Sequence, residues 1–201
     1  MKNYWLIACV LFSSCCGLIR INTSDKTINE SNEQLYQKNI ITFNNNKTFV
    51  RLESKELFCV MELKKSNIAS FVAPSDSVPL WITVWASYCE PCWEDAHLTY
   101  DYFKGRTDAA HKILSLTYTI PNTYNFQKKY NITSISYLLS RHDYPGNRTE
   151  ILPLFLADLG IAGTYAPVLP MNVILYKHRS IVLQGSITNT TIDSVLRVIR
   201  Q

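Results

Sequence analysis

Hydrophobic positions change period several times along this chain, and each change marks an element. Leu80, Trp81, Ile82, Thr83, Val84 and Trp85 form an uncharged run of aromatic, β-branched and leucine residues, which predicts a strand. The run has no polar alternation, so the strand is expected to be covered on both faces, as at the centre of an α/β sheet. Beyond it the period lengthens. Trp93, Ala96, Tyr100 and Phe103 make one apolar helical stripe, expected to pack on that sheet, and Gly105 ends the helix. The turn between strand and helix reads A-S-Y-C-E-P-C, and Pro91 suits the first helical position because its missing N–H would have had no partner there. This stretch, residues 78–104, organises the rest of the chain.

The pattern elsewhere supplies its neighbours. Residues 40–52 read as a hairpin around an Asn-rich turn. Glu56 to Leu63 fits neither period well, and Ala73 to Val78 reads as loop. His111 to Thr119 predicts a strand, Pro121 to Tyr130 a short helix and Thr133 to Leu139 a strand. Tyr144 to Asn147 is a turn, followed by a helix over Thr149 to Leu159 with Ile151, Leu152, Phe155 and Leu159 on one side. Leu169 to Tyr176 is a proline followed by a strand, K-H-R-S a turn, I-V-L-Q a second strand, and Gly185 closes it. The spacing predicts a final helix over Thr190 to Arg200, with Ile192, Val195, Leu196 and Ile199 facing the sheet. Thr190 and Asp193 resemble a capping box at its start. Strands alternating with helices imply a largely parallel sheet with right-handed crossovers.

The N-terminus follows different rules. Tyr4 to Phe12 is apolar but too short to span a bilayer, and with Lys2 before it and Ser13 and Ser14 after it, the segment fits a leader. Residues 1–16 are therefore read as a signal peptide. L-F-S-S-C resembles a bacterial lipoprotein cleavage box, which would make Cys15 the lipidated terminus; ordinary secretion and an uncleaved anchor are the alternatives. Residues 17–38 are polar and aperiodic, a tether, and residues 39–201 form one domain. At 201 residues with 47% hydrophobic and 18% charged positions, the balance is globular. The net charge of +4 comes with no basic block, so nothing points to nucleic acid.

Export changes how the cysteines are read, because oxidising compartments favour disulfides. Past the leader three remain: Cys59, Cys89 and Cys92. Cys59 lies among Leu57, Phe58, Val60 and Met61 and is expected to be a buried, inert core residue. Cys89 and Cys92, three apart at a helix start, are within disulfide reach. The helix end favours a negative charge at Cys89, which lowers a thiol's pKa and supplies the thiolate nucleophile. Cys92, one turn in, is expected to be more buried and to resolve the mixed disulfide. A zinc site needs four ligands, and the sequence offers neither a second C-x-x-C nor a histidine pair. No metal and no cofactor is implied.

W-A-S-Y-C-E-P-C resembles the active-site turn of thioredoxin-fold proteins, and its Glu-Pro pair resembles the membrane-tethered TlpA/ResA-type thiol–disulfide oxidoreductases of bacterial envelopes. That resemblance implies a thioredoxin-like α/β fold: a central mixed, mostly parallel sheet flanked by helices, with an N-terminal β-hairpin extension and a βα insertion between the C-x-x-C helix and a cis proline. It implies that Pro170, with Leu169 before it, faces the cysteine pair and holds a partner's backbone. It implies an acid at Asp95, where the family carries Glu, exchanging a proton with Cys92, and an exposed Trp93 touching the partner. His97 and Met171 depart from the family's Pro and Thr, and Thr83 stands where thioredoxin has a buried Asp. The implied activity is reduction of protein disulfides in the cell envelope, on the periplasmic side. The partners would be disulfide-containing substrate proteins, a membrane thiol protein that donates electrons, and the membrane through a lipid anchor or N-terminal segment. An oxidant or isomerase of secreted proteins and a non-catalytic surface binding module are the competing readings.

Overall fold

The computed structural model describes residues 40–43, 47–50, 60–116, 120–161, 163 and 165–201. The leader, the tether, Cys15 and Cys59 lie outside the described residues. Strands β1 (Ile40–Phe43) and β2 (Lys47–Val50) pair antiparallel as the expected hairpin, with Ile40 opposite Val50.

The remaining strands form one six-stranded sheet. They are β3 (Val60–Leu63), β4 (Leu80–Trp85), β5 (Ala110–Ser115), β6 (Ser136–Leu139), β7 (Met171–Tyr176) and β8 (Arg179–Gln184), in the order β3-β6-β5-β4-β7-β8. The β3–β6, β6–β5 and β5–β4 pairings are parallel, whereas β7 and β8 run antiparallel to their neighbours. The helices are α1 (Ile68–Val72), α2 (Glu90–Phe103), α3 (Ile120–Lys129), α4 (Arg148–Asp158) and α5 (Asn189–Arg200). This is the thioredoxin-like arrangement, and α3, β6 and α4 fill the long span between the cysteine helix and Pro170.

The strand at the centre explains the two-layer cover. All of β4 is buried, and successive side chains point to opposite faces. Leu80, Ile82 and Val84 join Leu114, Val173 and Leu175 on the face that packs Ile68 and Phe71 of α1 and Ile151, Leu152 and Phe155 of α4. Trp81 and Trp85 point the other way. Trp81 packs with Phe103 of α2 and Ile192, Leu196 and Ile199 of α5. Trp85 packs with Cys92, Ala96 and Tyr100 of α2 and Phe126 of α3.

Several boundaries differ from the sequence reading. The undecided segment before the core resolves to the strand Val60–Leu63, followed by a 3-10 turn at Lys65–Asn67 and the short α1. Ala73–Asp76, read as loop, is a second 3-10 turn. The β7–β8 turn is only Lys177 and His178. Lys177 takes φ 53° there, the left-handed geometry that two-residue hairpin turns require. On α4, Leu156 is buried with Ile151, Leu152 and Phe155, and Leu159, the C-cap residue, is partly buried against the same cluster. Its N-terminus carries a capping box that the turn reading missed: Asn147 accepts from Thr149 N, and Glu150 accepts from Asn147 N. The cap of α5 is Thr188, whose Oγ1 accepts from Thr191 N. Asp193 is not part of it; it accepts instead from the Tyr102 hydroxyl.

Candidate functional site

At the C-terminal end of β4 the chain turns sharply into α2. Cys89 N–H donates to Ala86 O and Cys92 N–H to Cys89 O, each at 3.0 Å. Cys89 is the N-cap residue, with extended backbone angles, and Pro91 lies in the first turn. Cys89 and Cys92 are joined by a disulfide with their Cα atoms 5.2 Å apart. The two sulfurs differ in access: Cys89 is half-buried and Cys92 is fully buried against Trp85 and Ala96. Cys89 stands at the N-terminus of α2, an environment that favours negative charge.

The Leu169–Pro170 peptide bond is cis. Register places it beside the cysteine turn. Met171 pairs with Val84, so Pro170 stands level with the end of β4, and Leu169 packs on the cluster that contains Trp85 and Cys92. Pro170 N has no hydrogen, but its carbonyl accepts from Gly185 N at 2.9 Å. The exposed apolar side chains Tyr88 and Val168 stand immediately before Cys89 and Leu169.

Trp93 is half-buried rather than free. Its ring lies edge-on to Trp85 and Phe126, at centroid distances of 6.2 and 5.9 Å, with the Lys129 ammonium 5.2 Å from its own centroid. Its Nε1 is buried with no protein acceptor among the described residues. His97, one turn on, stacks on Tyr130 at 4.6 Å and approaches Asp101 at 3.4 Å.

Asp95 is buried. Its Oδ2 accepts from Asn172 Nδ2 at 2.8 Å and its Oδ1 from the backbone N–H of Ile187 at 2.9 Å. Burial pushes the carboxyl above its ordinary value, opposed by those two hydrogen bonds. The network continues through β4. Asn172 Oδ1 accepts from Trp81 Nε1 at 2.8 Å and from the Thr83 hydroxyl at 3.0 Å. Thr83 Oγ1 also lies 3.0 Å from Thr99 Oγ1 and 3.1 Å from His111 Nε2. His111 stacks on Phe103 at 5.1 Å, and burial pushes its imidazole down to about 3. Sequence reasoning singled out Asp95 and noted Thr83 but missed Asn172 and His111. The signal for Asn172 was an amide inside an otherwise apolar strand.

Among the described residues no group of three or more His, Cys, Asp or Glu could hold a metal ion, and no helix is long and apolar enough to cross a membrane.

No family model matches this chain, and no curated protein matches it. Solved structures do. A DsbF homologue from Corynebacterium diphtheriae is 20% identical, with a TM-score of 0.48 over 63% of this chain and 75% of that one. A thiol:disulfide interchange protein of the thioredoxin family from Chlorobium tepidum is 14% identical, with a TM-score of 0.48 over 63% and 83%. An exposed lipoprotein thioredoxin from Streptococcus pneumoniae is 14% identical, with a TM-score of 0.46 over 63% and 89%.

Proposed function

We propose that this chain is a cell-envelope thiol–disulfide oxidoreductase of the TlpA/ResA-like type that reduces protein disulfides through Cys89 and Cys92. One observation carries the reading: a half-exposed Cys89 at a helix mouth, bonded to a fully buried Cys92 and set beside a cis proline.

In the reduced protein the Cys89 thiolate attacks one sulfur of a substrate disulfide. That S–S bond breaks, a Cys89–substrate disulfide forms, and the first substrate thiolate leaves and takes a proton. Cys92 then gives up its proton and attacks Cys89 Sγ, expelling the second substrate thiolate, which is protonated in turn. Two electrons have passed to the substrate, and the Cys89–Cys92 disulfide remains. Asp95, one helical turn from Cys92, takes the proton that Cys92 releases. Pro170 and Leu169 hold the partner's backbone, with Tyr88, Val168 and Trp93 as apolar contacts. A thiol protein in the membrane returns the two electrons.

In this reading the leader within residues 1–16 directs export and is cut before Cys15, which carries the lipid, residues 17–38 hold the domain off the membrane and residues 39–201 form the catalytic domain. The decisive experiment uses the exported domain and an insulin-type substrate. Cys89→Ala is expected to abolish reduction, and Cys92→Ala to accumulate the mixed disulfide; full activity in Cys89→Ala overturns the assignment. Equilibration with a glutathione buffer fixes the direction: a potential near about −270 mV fits a reductant, and one near about −120 mV fits an oxidant.

A further inference from the structure

Asn172 is the fixed centre of the buried polar network. It lies two residues after Pro170, directly opposite Thr83 in the β4–β7 register, and it is fully buried. Its amide orientation follows from donor chemistry. The indole Nε1 of Trp81 can only donate, and it points at one atom of the Asn172 amide at 2.8 Å. That atom must be the oxygen. The Thr83 hydroxyl reaches the same oxygen. The amide nitrogen is thereby directed at Asp95 Oδ2. Two strands therefore aim one N–H at one carboxyl oxygen, while Ile187 N–H holds the other.

We propose that Asn172 is a positioning residue for the thiol chemistry: held by Trp81 and Thr83, it fixes the Asp95 carboxyl one helical turn from Cys92 and sets the pH at which that carboxyl exchanges the Cys92 proton. The proposal rests on the oxidoreductase reading above.

The chemistry follows from which bonds each state can keep. Both donors can stay bonded to the carboxylate at full strength, so they favour the anion, whereas burial favours the acid. A carboxyl balanced between these two effects can take a proton and lose it again. A primary amide does not pass a proton along, so Asn172 orients Asp95 and relays nothing. No ion pair reaches Asp95 among the described residues. The other acids of its own helix, Glu90, Glu94 and Asp101, are exposed, with His97 beside Asp101. Cys92 stands on its own helix, and His111 on β5 contacts the network only at Thr83. Asp193 on α5 is turned to Tyr102. Loss of the Asn172 N–H therefore changes the environment of Asp95 and no other acid.

Two readouts test this on the whole exported domain: the pH profile of disulfide reduction, and the NMR titration of the Asp95 carboxyl carbon in the reduced protein. In Asn172→Leu both are expected to move to higher pH, by about one unit, because a carboxylate hydrogen bond is lost. In an Asp95→Asn background, Asn172→Leu is expected to leave the pH profile where Asp95→Asn alone put it. A carboxyl titration that stays in place, or a profile that still moves without Asp95, overturns the proposal. Should Asn172→Leu fail to fold, Thr83→Val decides in its place. It removes one of the two groups that aim the amide and keeps the volume. A smaller upward move of the carboxyl titration supports the proposal, and none overturns it. A wild-type chain that reduces no disulfide refutes the oxidoreductase reading instead, and the carboxyl titration tells the two failures apart.

Discussion

The backbone N–H of Ile187 donates to Asp95 Oδ1 at 2.9 Å, so the segment between β8 and α5 is tied to the cysteine helix by one buried carboxyl. Asp95 thus has a structural duty beside any proton transfer. In Asp95→Ala, Ile187 N and Asn172 Nδ2 lose their acceptor, at roughly 1–3 kcal/mol for each buried donor. Relief of the buried carboxyl offsets part of this. We expect a net loss of about 2 kcal/mol in urea unfolding of the oxidised protein. The loss depends on pH. A carboxyl raised by burial contributes its full stability below the unfolded aspartate value of 3.8 and loses it as pH rises through the folded value. Truncation should therefore cost more at acid than at neutral pH. An unfolding midpoint equal to wild type at both would remove the tie from the account.

His111 acts in the opposite sense. Burial lowers its imidazole from 6.5 to about 3, so between those values the unfolded chain binds the extra proton and stability rises with pH. Below that window the contribution is gone. His111→Gln keeps a hydrogen-bonding side chain near Thr83 and does not titrate. We expect it to flatten the acid limb of stability, by roughly 2–4 kcal/mol across the window, in urea midpoints taken from neutral to acid pH. A variant whose acid limb matches wild type would mean that His111 gains a proton in the fold at no cost.

Lys112 gives the alkaline counterpart. It donates to Phe71 O, and its ammonium lies 4.4 Å from the Phe71 centroid and 5.5 Å from the Tyr137 centroid. Burial lowers it to about 8 from 10.5. Between these values the unfolded chain again binds more protons, so stability should rise with pH there. Lys112→Met keeps the aliphatic stem against the rings and should abolish that rise. A rise of equal size in Lys112→Met would assign it to another group.

The elements were legible wherever one local pattern decided them. The uncharged β4 run, the C-E-P-C turn and the apolar stripe of α2 each carry their own signal, and the proline before β7 stood out for the same reason. What could not be read was set by register across the sheet. Thr83 marked a missing acid, but only the β4–β7 pairing brings Asn172 opposite it, where its amide meets the Asp95 carboxyl of the helix. His111 looked like a stray histidine at a strand start until β5 placed it beside Thr83. The α5 cap shifted because three threonines and an asparagine crowd residues 188–191, and local sequence alone does not choose among several good caps.

Trp93 separates packing from recognition. Part of its surface is covered by Trp85, Phe126 and Lys129, contacts that tie α2 to α3. The rest faces solvent one residue beyond Cys92. Truncating a fully buried aromatic costs about 3–5 kcal/mol, so Trp93→Ala, with only part of the ring covered, should cost about 1–2 kcal/mol in urea unfolding. If the exposed part also meets the partner protein, KM for a protein disulfide should rise several-fold, while the rate with a small disulfide such as oxidised glutathione stays near wild type. Trp93→Phe should recover most of the stability and only part of the KM. Should Trp93→Ala lose 3 kcal/mol or more with KM unchanged, the side chain belongs to the core between α2 and α3, and the partner surface must be sought at Tyr88 and Val168 instead.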